Sequence, residues 1–206
     1  LLERHLNGDF GVGVCPVNAE GKCYFGVLDI DYYQKDINKV LSFIRDYQLP
    51  LLPFRSKSGG LHVYLMLQKA ASAKTMRETL QKINYFFCLE NLYGKGKVAI
   101  VPKQDKSEGF GSAITLPYFN CENPYTYLMD LEGNEISFSE ALHYVKARLT
   151  SIEEVNESLF HLPYNDAPPC IQRILLSGAV GGEDSGRNNF LFSYAVFCKK
   201  QYGNDF

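Results

Sequence analysis

Gly26-Val27-Leu28-Asp29-Ile30-Asp31 and, a helix's length later, Arg55-Ser56-Lys57-Ser58-Gly59-Gly60-Leu61-His62-Val63-Tyr64 are the stretches on which the reading of this sequence turns. The first is an apolar strand ending on two acids. Alternate residues of a strand share a face, so Asp29 and Asp31 emerge together. Two carboxylates closing a buried strand repel one another and are costly to desolvate unless a cation neutralises them. Mg2+ or Mn2+ takes such oxygen ligands and shares them with substrate phosphates. Taken alone, the pair reads equally well as a strand end that caps the following turn.

The second stretch shifts that balance. Glycines bring backbone N–H groups close to an anion, hydroxyls donate to its oxygens, and Arg55 and Lys57 add positive charge. His62 can donate to a triphosphate oxygen once its other ring nitrogen is held. A plain hairpin with a surface histidine is the bland alternative. A position one strand-helix-strand interval after the acid pair favours metal-dependent chemistry on nucleotides.

Outward from these blocks, Lys22 to Asp31 reads as a strand rich in aromatic and β-branched residues, after a loosely alternating Asp9 to Val17 and a hairpin-like turn at Pro16 to Gly21. Ile37, Val40, Leu41 and Ile44 space an amphipathic helix over Asp36 to Tyr47. Strands at Leu51 to Arg55 and Leu61 to Leu67 flank the Ser/Gly turn. A helix over Ser72 to Leu92 carries Met76, Leu80, Ile83, Phe86 and Phe87 on its apolar side. Lys97 to Val101, Ser112 to Pro117 and Tyr125 to Leu131 read as strands, with a turn at Glu132-Gly133-Asn134. Ser137 to Leu149 reads as a helix, with Ser137 or Ser139 as its cap. Leu162-Pro163 and Ala167-Pro168-Pro169 mark a break, beyond which Cys170 to Val180 and Arg187 to Tyr202 read as helices. The expectation is an α+β domain over 1–160, with a mixed sheet carrying helices on one face, and a small all-helical domain over 161–206.

Composition narrows the class. The 206 residues are 46% hydrophobic and 21% charged, ordinary for a globular protein with one sizeable core. No apolar run approaches bilayer length and no charged-then-apolar leader opens the chain, so a cytoplasmic setting without membrane partners is expected. The chain starts on Leu1 rather than Met, and an excised piece of a longer protein is expected. Six scattered cysteines contain no C-x-x-C pair, which disfavours a disulfide framework or a local zinc site and favours reduced, packed thiols. The net charge of −2 hides an asymmetry. From Arg55 to Lys106 ten Lys/Arg face three acids, a net +7 that leaves −9 for the rest. A solvated helix face explains part of it, yet the cations surround the Ser/Gly turn and suit a polyanionic partner.

The h-D-h-D strand end, the Arg55 to Tyr64 block and the later Pro102-Lys103-Gln104-Asp105 and Gly109 to Pro117 segments resemble the archaeo-eukaryotic primase superfamily. Within it, the likeness is to the primase-polymerases of phages, plasmids and mobile defence elements. Arg4-His5-Leu6-x-Gly8 ahead of Gly11-Val12-Gly13-Val14 is similar to the opening of that group, and Gly186 to Phe192 is similar to the small helical domain that often follows such cores.

The resemblance implies an RRM-like sheet and a nucleotidyltransferase that extends a primer or an initiating nucleotide on a single-stranded or primed DNA template. It implies a two-metal site for Mg2+ or Mn2+ on Asp29, Asp31 and a third acid, with Asp105 first and Asp130 as runner-up. Ser58 and His62 would bind the nucleoside triphosphate, helped by Arg55, Ser56, Lys57 and Lys103. Many relatives carry a serine where Gly60 stands, so the hydroxyl falls to Ser58 or Ser56. Relatives often carry an acid just before Pro-Lys-Gln, where this chain has Ala99. A helicase domain or partner is implied as a neighbour, in a bacterial or phage-infected cell. The alternative is a nucleic-acid-binding module of the same fold with weakened catalysis, in a replication or defence element. Tyr32-Tyr33 and Tyr118-Phe119-Asn120 follow expected strand ends, where a base or sugar could stack, although packing is the commoner role for each.

Overall fold

The computed structural model describes residues 1–31, 37–87, 89, 93–94, 96–106, 111–161, 171 and 186–203. Along the chain run α1 (Leu2–Leu6), β1 (Gly13–Val14), β2 (Lys22–Ile30), α2 (Asn38–Asp46), β3 (Leu51–Arg55), β4 (Leu61–Ser72) and α3 (Ala73–Phe86). They are followed by β5 (Val98–Val101), β6 (Ile114–Thr115), α4 (Phe138–Ala147), α5 (Ile152–Phe160) and α6 (Gly186–Tyr202). β3, β4, β2 and β5 hydrogen-bond in that spatial order, while β1 and β6 form a separate two-stranded ladder.

Every ladder between these strands is antiparallel, where a mixed sheet was expected. The reason is the length of each crossover. α2 carries the chain from β2 to β3, two places away, and the β3–β4 hairpin then fills the gap in the opposite direction. Among the described residues parallel pairing is confined to one isolated bridge, Leu67 to Thr150. The turn before β2 is closed by Asn18, whose Oδ1 accepts from Glu20 N and Lys22 N. Even so, β1 pairs with β6 rather than with β2.

Alternation sorts the strand residues onto two faces. Leu28, Ile30, Leu51, Leu61, Val63, Leu65 and Val98 join Val40 and Ile44 of α2, Met76, Leu80 and Ile83 of α3, and Val155 and Leu159 of α5 in the larger core. On the opposite face Val27, Leu52, Phe54, Tyr64 and Val101 pack with Ile114, Tyr118, Leu128 and Ala141. The second layer comes from a stretch with little regular structure. Tyr125 to Leu131, expected as a strand, contributes only the bridges Phe54–Leu128 and Met129–Glu135. Tyr118 locks that layer by donating from Oη to Ile136 O at 2.7 Å and accepting from Leu128 N at 3.1 Å.

Three helices start on serine caps. Ser72 Oγ accepts from Thr75 N, and Ser137 and Ser151 form capping boxes with Glu140 and Glu154. α5 went unread in the sequence although Ser151-x-x-Glu154 is a start signal. In the tail, Ile171, Phe197 and Cys198 form a small cluster with Tyr194. The break at 162–169, most of the expected Cys170 to Val180 helix, Tyr32-Tyr33 and Gly109-Phe110 lie outside the described residues. Among the described residues no helix is long and apolar enough to cross a membrane.

β2 and α3 approach closely at Gly26. A Cβ there would lie 2.6 Å from Met76 Cγ and 2.7 Å from Leu80 Cδ1. Overpacking of this kind costs about 1–3 kcal/mol. Gly26→Val should therefore lower the urea midpoint by that amount of stability with the m-value unchanged, as equilibrium unfolding will show.

Candidate functional site

Register sets Phe54, His62, Asp29 and Ala99 side by side across β3, β4, β2 and β5. Residues opposed in an antiparallel ladder share a face, so these four form one row. Within it His62 Nε2 lies 3.2 Å from Asp29 Oδ1, with the two side chains 15% and 25% exposed. One row deeper stands Tyr64, whose Oη is buried and has no partner among the described residues. Burial first, and the nearby Asp29 charge second, push its hydroxyl well above the ordinary phenol range. Beyond β2, Asp31 N donates to Lys97 O at 2.8 Å, which continues the strand pairing by one residue. Alternation keeps the exposed Asp31 carboxyl on the Asp29 side.

The β3–β4 connection, Ser56 to Gly60, sits against this end of β2. Ser56 N donates to Gly60 O at 3.1 Å and Gly59 N to Ser56 O at 2.9 Å, with Gly59 at φ +85. A Cβ at Gly60 would come within 2.5 Å of Ile30 O, so the backbone needs a glycine there. Ser56 is buried and its Oγ lies 3.4 Å from that of exposed Ser58, which leaves Ser58 as the hydroxyl turned to solvent. Arg55 reaches back against the loop, its Nη2 3.4 Å from where a Gly59 Cβ would be. Lys57 is exposed and places Nζ 5.4 Å from the centroid of the Tyr125 ring. The fold thus gathers Asp29, Asp31, Arg55, Ser56, Lys57, Ser58 and His62 at one end of the sheet.

It does not bring Asp105, Lys103 or Asp130 there. β5 runs against β2, pairing Ala99 with Asp29 and Val101 with Val27, so each later residue moves away from Asp29. The Asp105 carbonyl lies within 2.7 Å of a Cβ placed on Gly21, at the far end of β2. At 3.3 Å per residue, that is about 25 Å from Asp29. Its carboxylate pairs with Arg77, which also donates to the Lys103 carbonyl. Gln104 is used locally, accepting from Ser112 N and Oγ.

Met129 N donates to Pro53 O, which puts Asp130 beyond β3, three strand spacings or about 14 Å from β2. Asp130 accepts from Glu132 N and from Asn134 N and Nδ2. Slight burial opposes its ionisation, but these bonds outweigh it and hold the carboxyl below its ordinary range. It is a turn-building acid. The place across from Asp29 on β5 belongs to the methyl of Ala99, and among the described residues no three His, Cys, Asp or Glu group to hold a metal.

The aromatic expectation divides. Tyr118 is core, whereas Phe119 packs at 5.5 Å and a 37° tilt against Tyr125, which is 40% exposed beside Lys57. Tyr125 was not singled out in the sequence, and no local spacing marks it, because Lys57 meets it only through the fold.

The model of the family described as TOTE conflict system, Archaeo-Eukaryotic Primase domain, matches residues 1–148. No curated protein matches the chain. The matched span runs from α1 through the acid strand, the Ser/Gly loop and both sheets to the end of α4, and the chain therefore belongs to the archaeo-eukaryotic primase domain family of TOTE conflict systems.

Proposed function

We propose that the end of the sheet around Asp29 and His62 binds a nucleoside triphosphate together with a divalent cation and transfers the nucleotide to a primer 3′-hydroxyl, or to an initiating nucleotide, on a single-stranded DNA template. The observation that carries this reading is the Asp29–His62 pair, set by register beside the Ser56 to Gly60 loop. Family membership supports a primase-like nucleotidyltransferase fold. The β-α-β-β-α-β run from β2 to β5, in the spatial order β3-β4-β2-β5, supports an RRM-like sheet.

The donor set fits a cation of the Mg2+ or Mn2+ type. It offers oxygen from Asp29 and Asp31 and leaves the other positions to water and substrate phosphates, as Mg2+ sites commonly do. Among the described residues no further carboxylate joins this pair, because Asp105 and Asp130 are elsewhere and Ala99 faces Asp29. The described residues account for one cation of the expected two-metal site. When bound, it would neutralise charge on the reacting phosphates.

The chain's own residues do the positioning. Asp29 holds His62 by Nε2, which fixes the ring, and in its imidazolium form the histidine would also donate from Nδ1 to a phosphate oxygen. Ser58, Lys57 and Arg55 supply donors and charge for the triphosphate, and no side chain serves as covalent nucleophile. The 3′-oxygen bonds to the α-phosphorus as its proton passes to solvent, and the bond from the α-phosphorus to the bridging oxygen breaks, so that pyrophosphate leaves. Catalysis is then orientation and electrostatics. The Ala99 methyl favours a second reading, a strand-binding module with weakened catalysis in a defence element, which suits the conflict system in the family's description.

Mn2+-supported incorporation on a primed single-strand template tests the proposal. It should be lost in Asp29→Ala/Asp31→Ala, and extension that survives the double substitution would overturn the metal assignment. No incorporation by the wild type, with triphosphate binding intact, would favour the module. His62→Ala should weaken triphosphate binding about tenfold, the worth of one charge-assisted hydrogen bond. Free-Mn2+ electron paramagnetic resonance should show weak Mn2+ binding to the wild type that tightens when triphosphate is added. Ala99→Glu should bind Mn2+ about tenfold more tightly without nucleotide.

A further inference from the structure

The 118–126 loop carries strain with no role in the site so far described. Tyr118 and Asn120 adopt left-handed backbone angles, φ 62 and 55, which side chains disfavour. Such residues persist only where surrounding structure holds them, and they cluster at functional surfaces. Here the hold is explicit. Tyr118 N donates to Thr126 O, while Asn120 N and Cys121 N donate to the carbonyls of His5 and Leu6 in α1. His5 is fully buried, with both ring nitrogens engaged: Nδ1 accepts from Val12 N and Nε2 donates to Pro117 O. Its ring meets Phe119 edge-on at 5.5 Å.

What this scaffold supports is an aromatic step left in water. Phe119 packs against Tyr125 with ring centroids 5.5 Å apart and planes tilted by 37°, and Lys57 Nζ of the Ser/Gly loop lies 5.4 Å from the Tyr125 centroid. A second pair sits at the other end of the anchor, where Arg4 lies 5.8 Å from the Phe10 ring centroid and Phe10 is 51% exposed. A core would have covered these rings. Rigid, half-exposed aromatics beside cations are instead what a strand with unstacked bases binds, with bases on the rings and phosphates on the cations. A duplex hides the base faces that such rings require.

We propose that Tyr125, backed by Phe119 and flanked by Lys57, is a stacking platform for single-stranded nucleic acid leading into the Asp29–His62 site, with Phe10 and Arg4 as a second contact. The platform rests on the proposed nucleotide transfer only for the direction in which the strand runs. Two cations predict a shallow salt dependence, a slope of log affinity against log salt of about −1.4.

Fluorescence anisotropy of a labelled oligothymidylate against the full chain tests it, with a fluorescent nucleoside triphosphate measured in parallel. Tyr125→Ala should weaken oligonucleotide binding about tenfold and Tyr125→Phe should restore it, because one stacked base is worth about 1–3 kcal/mol. Phe10→Ala should add a smaller loss. Both alanine variants should keep the wild-type melting temperature and triphosphate affinity. Equal binding by wild type and Tyr125→Ala, or equal binding of single strand and duplex, overturns the platform. Wild type that binds triphosphate but no oligonucleotide overturns it too and leaves the nucleotide site standing. Wild type that binds oligonucleotide through Tyr125 but no triphosphate upholds the platform and sinks the nucleotide site.

Discussion

The pairing of β2 with β4 governs everything else in the molecule. From Phe25–Met66 to Ile30–Leu61 the ladder is unbroken, and its only irregularity falls between Cys23 and Phe25, away from the acids. A slip of one residue would turn Asp29 into the core of α2 and α3, burying an unpaired carboxylate, and would expose Leu28 and Ile30 in its place. The same slip would part Asp29 from His62. Register is thus held by a large apolar core on one face while its chemical consequence appears on the other. Gly26 belongs to this arrangement because its missing side chain lets α3 settle onto β2.

On the proposed reading, the gathered groups would suit a metal–phosphate complex better than either part alone. Two carboxylates would leave a bare triphosphate repelled, and two cations with a histidine would leave a bare metal ion repelled. Together they match a particle that carries both signs. The cations at the loop between β3 and β4 are Arg55 and Lys57, whereas Arg77 and Lys103 of the same basic stretch lie toward the other end of the sheet. The lack of a carboxylate at Ala99 shifts that balance toward the phosphates.

Much of this was legible in the residues. Alternation in Val27, Leu28, Asp29 and Ile30, the glycines after Ser58 and the period of Val40, Leu41 and Ile44 announce β2, the loop and α2, because each is a local signal. What could not be read is which strand lies beside which. Asp105 stands beside Pro-Lys-Gln in sequence, but the direction of β5 carries it to the opposite end of the sheet. Asp130 sat beside a turn that the sequence did mark, and the turn explains it. The mixed-sheet expectation failed for a related reason, since strand composition does not reveal that α2 skips a place. Tyr118 and Phe119 are neighbours of the same type with opposite fates, decided by a backbone reversal that no spacing encodes.

Gly60 has a mechanical meaning. Its Cα rests against the Ile30 carbonyl with no room for a side chain, so the loop and the end of the acid strand cannot slide independently. The acids, the histidine and the loop behave as one stiff block. The other wall, where α1 and the segment after Tyr118 meet, is tied as well, by the bonds from Asn120 N and Cys121 N to the carbonyls of His5 and Leu6. This end of the protein is therefore a cleft preset between two tied walls.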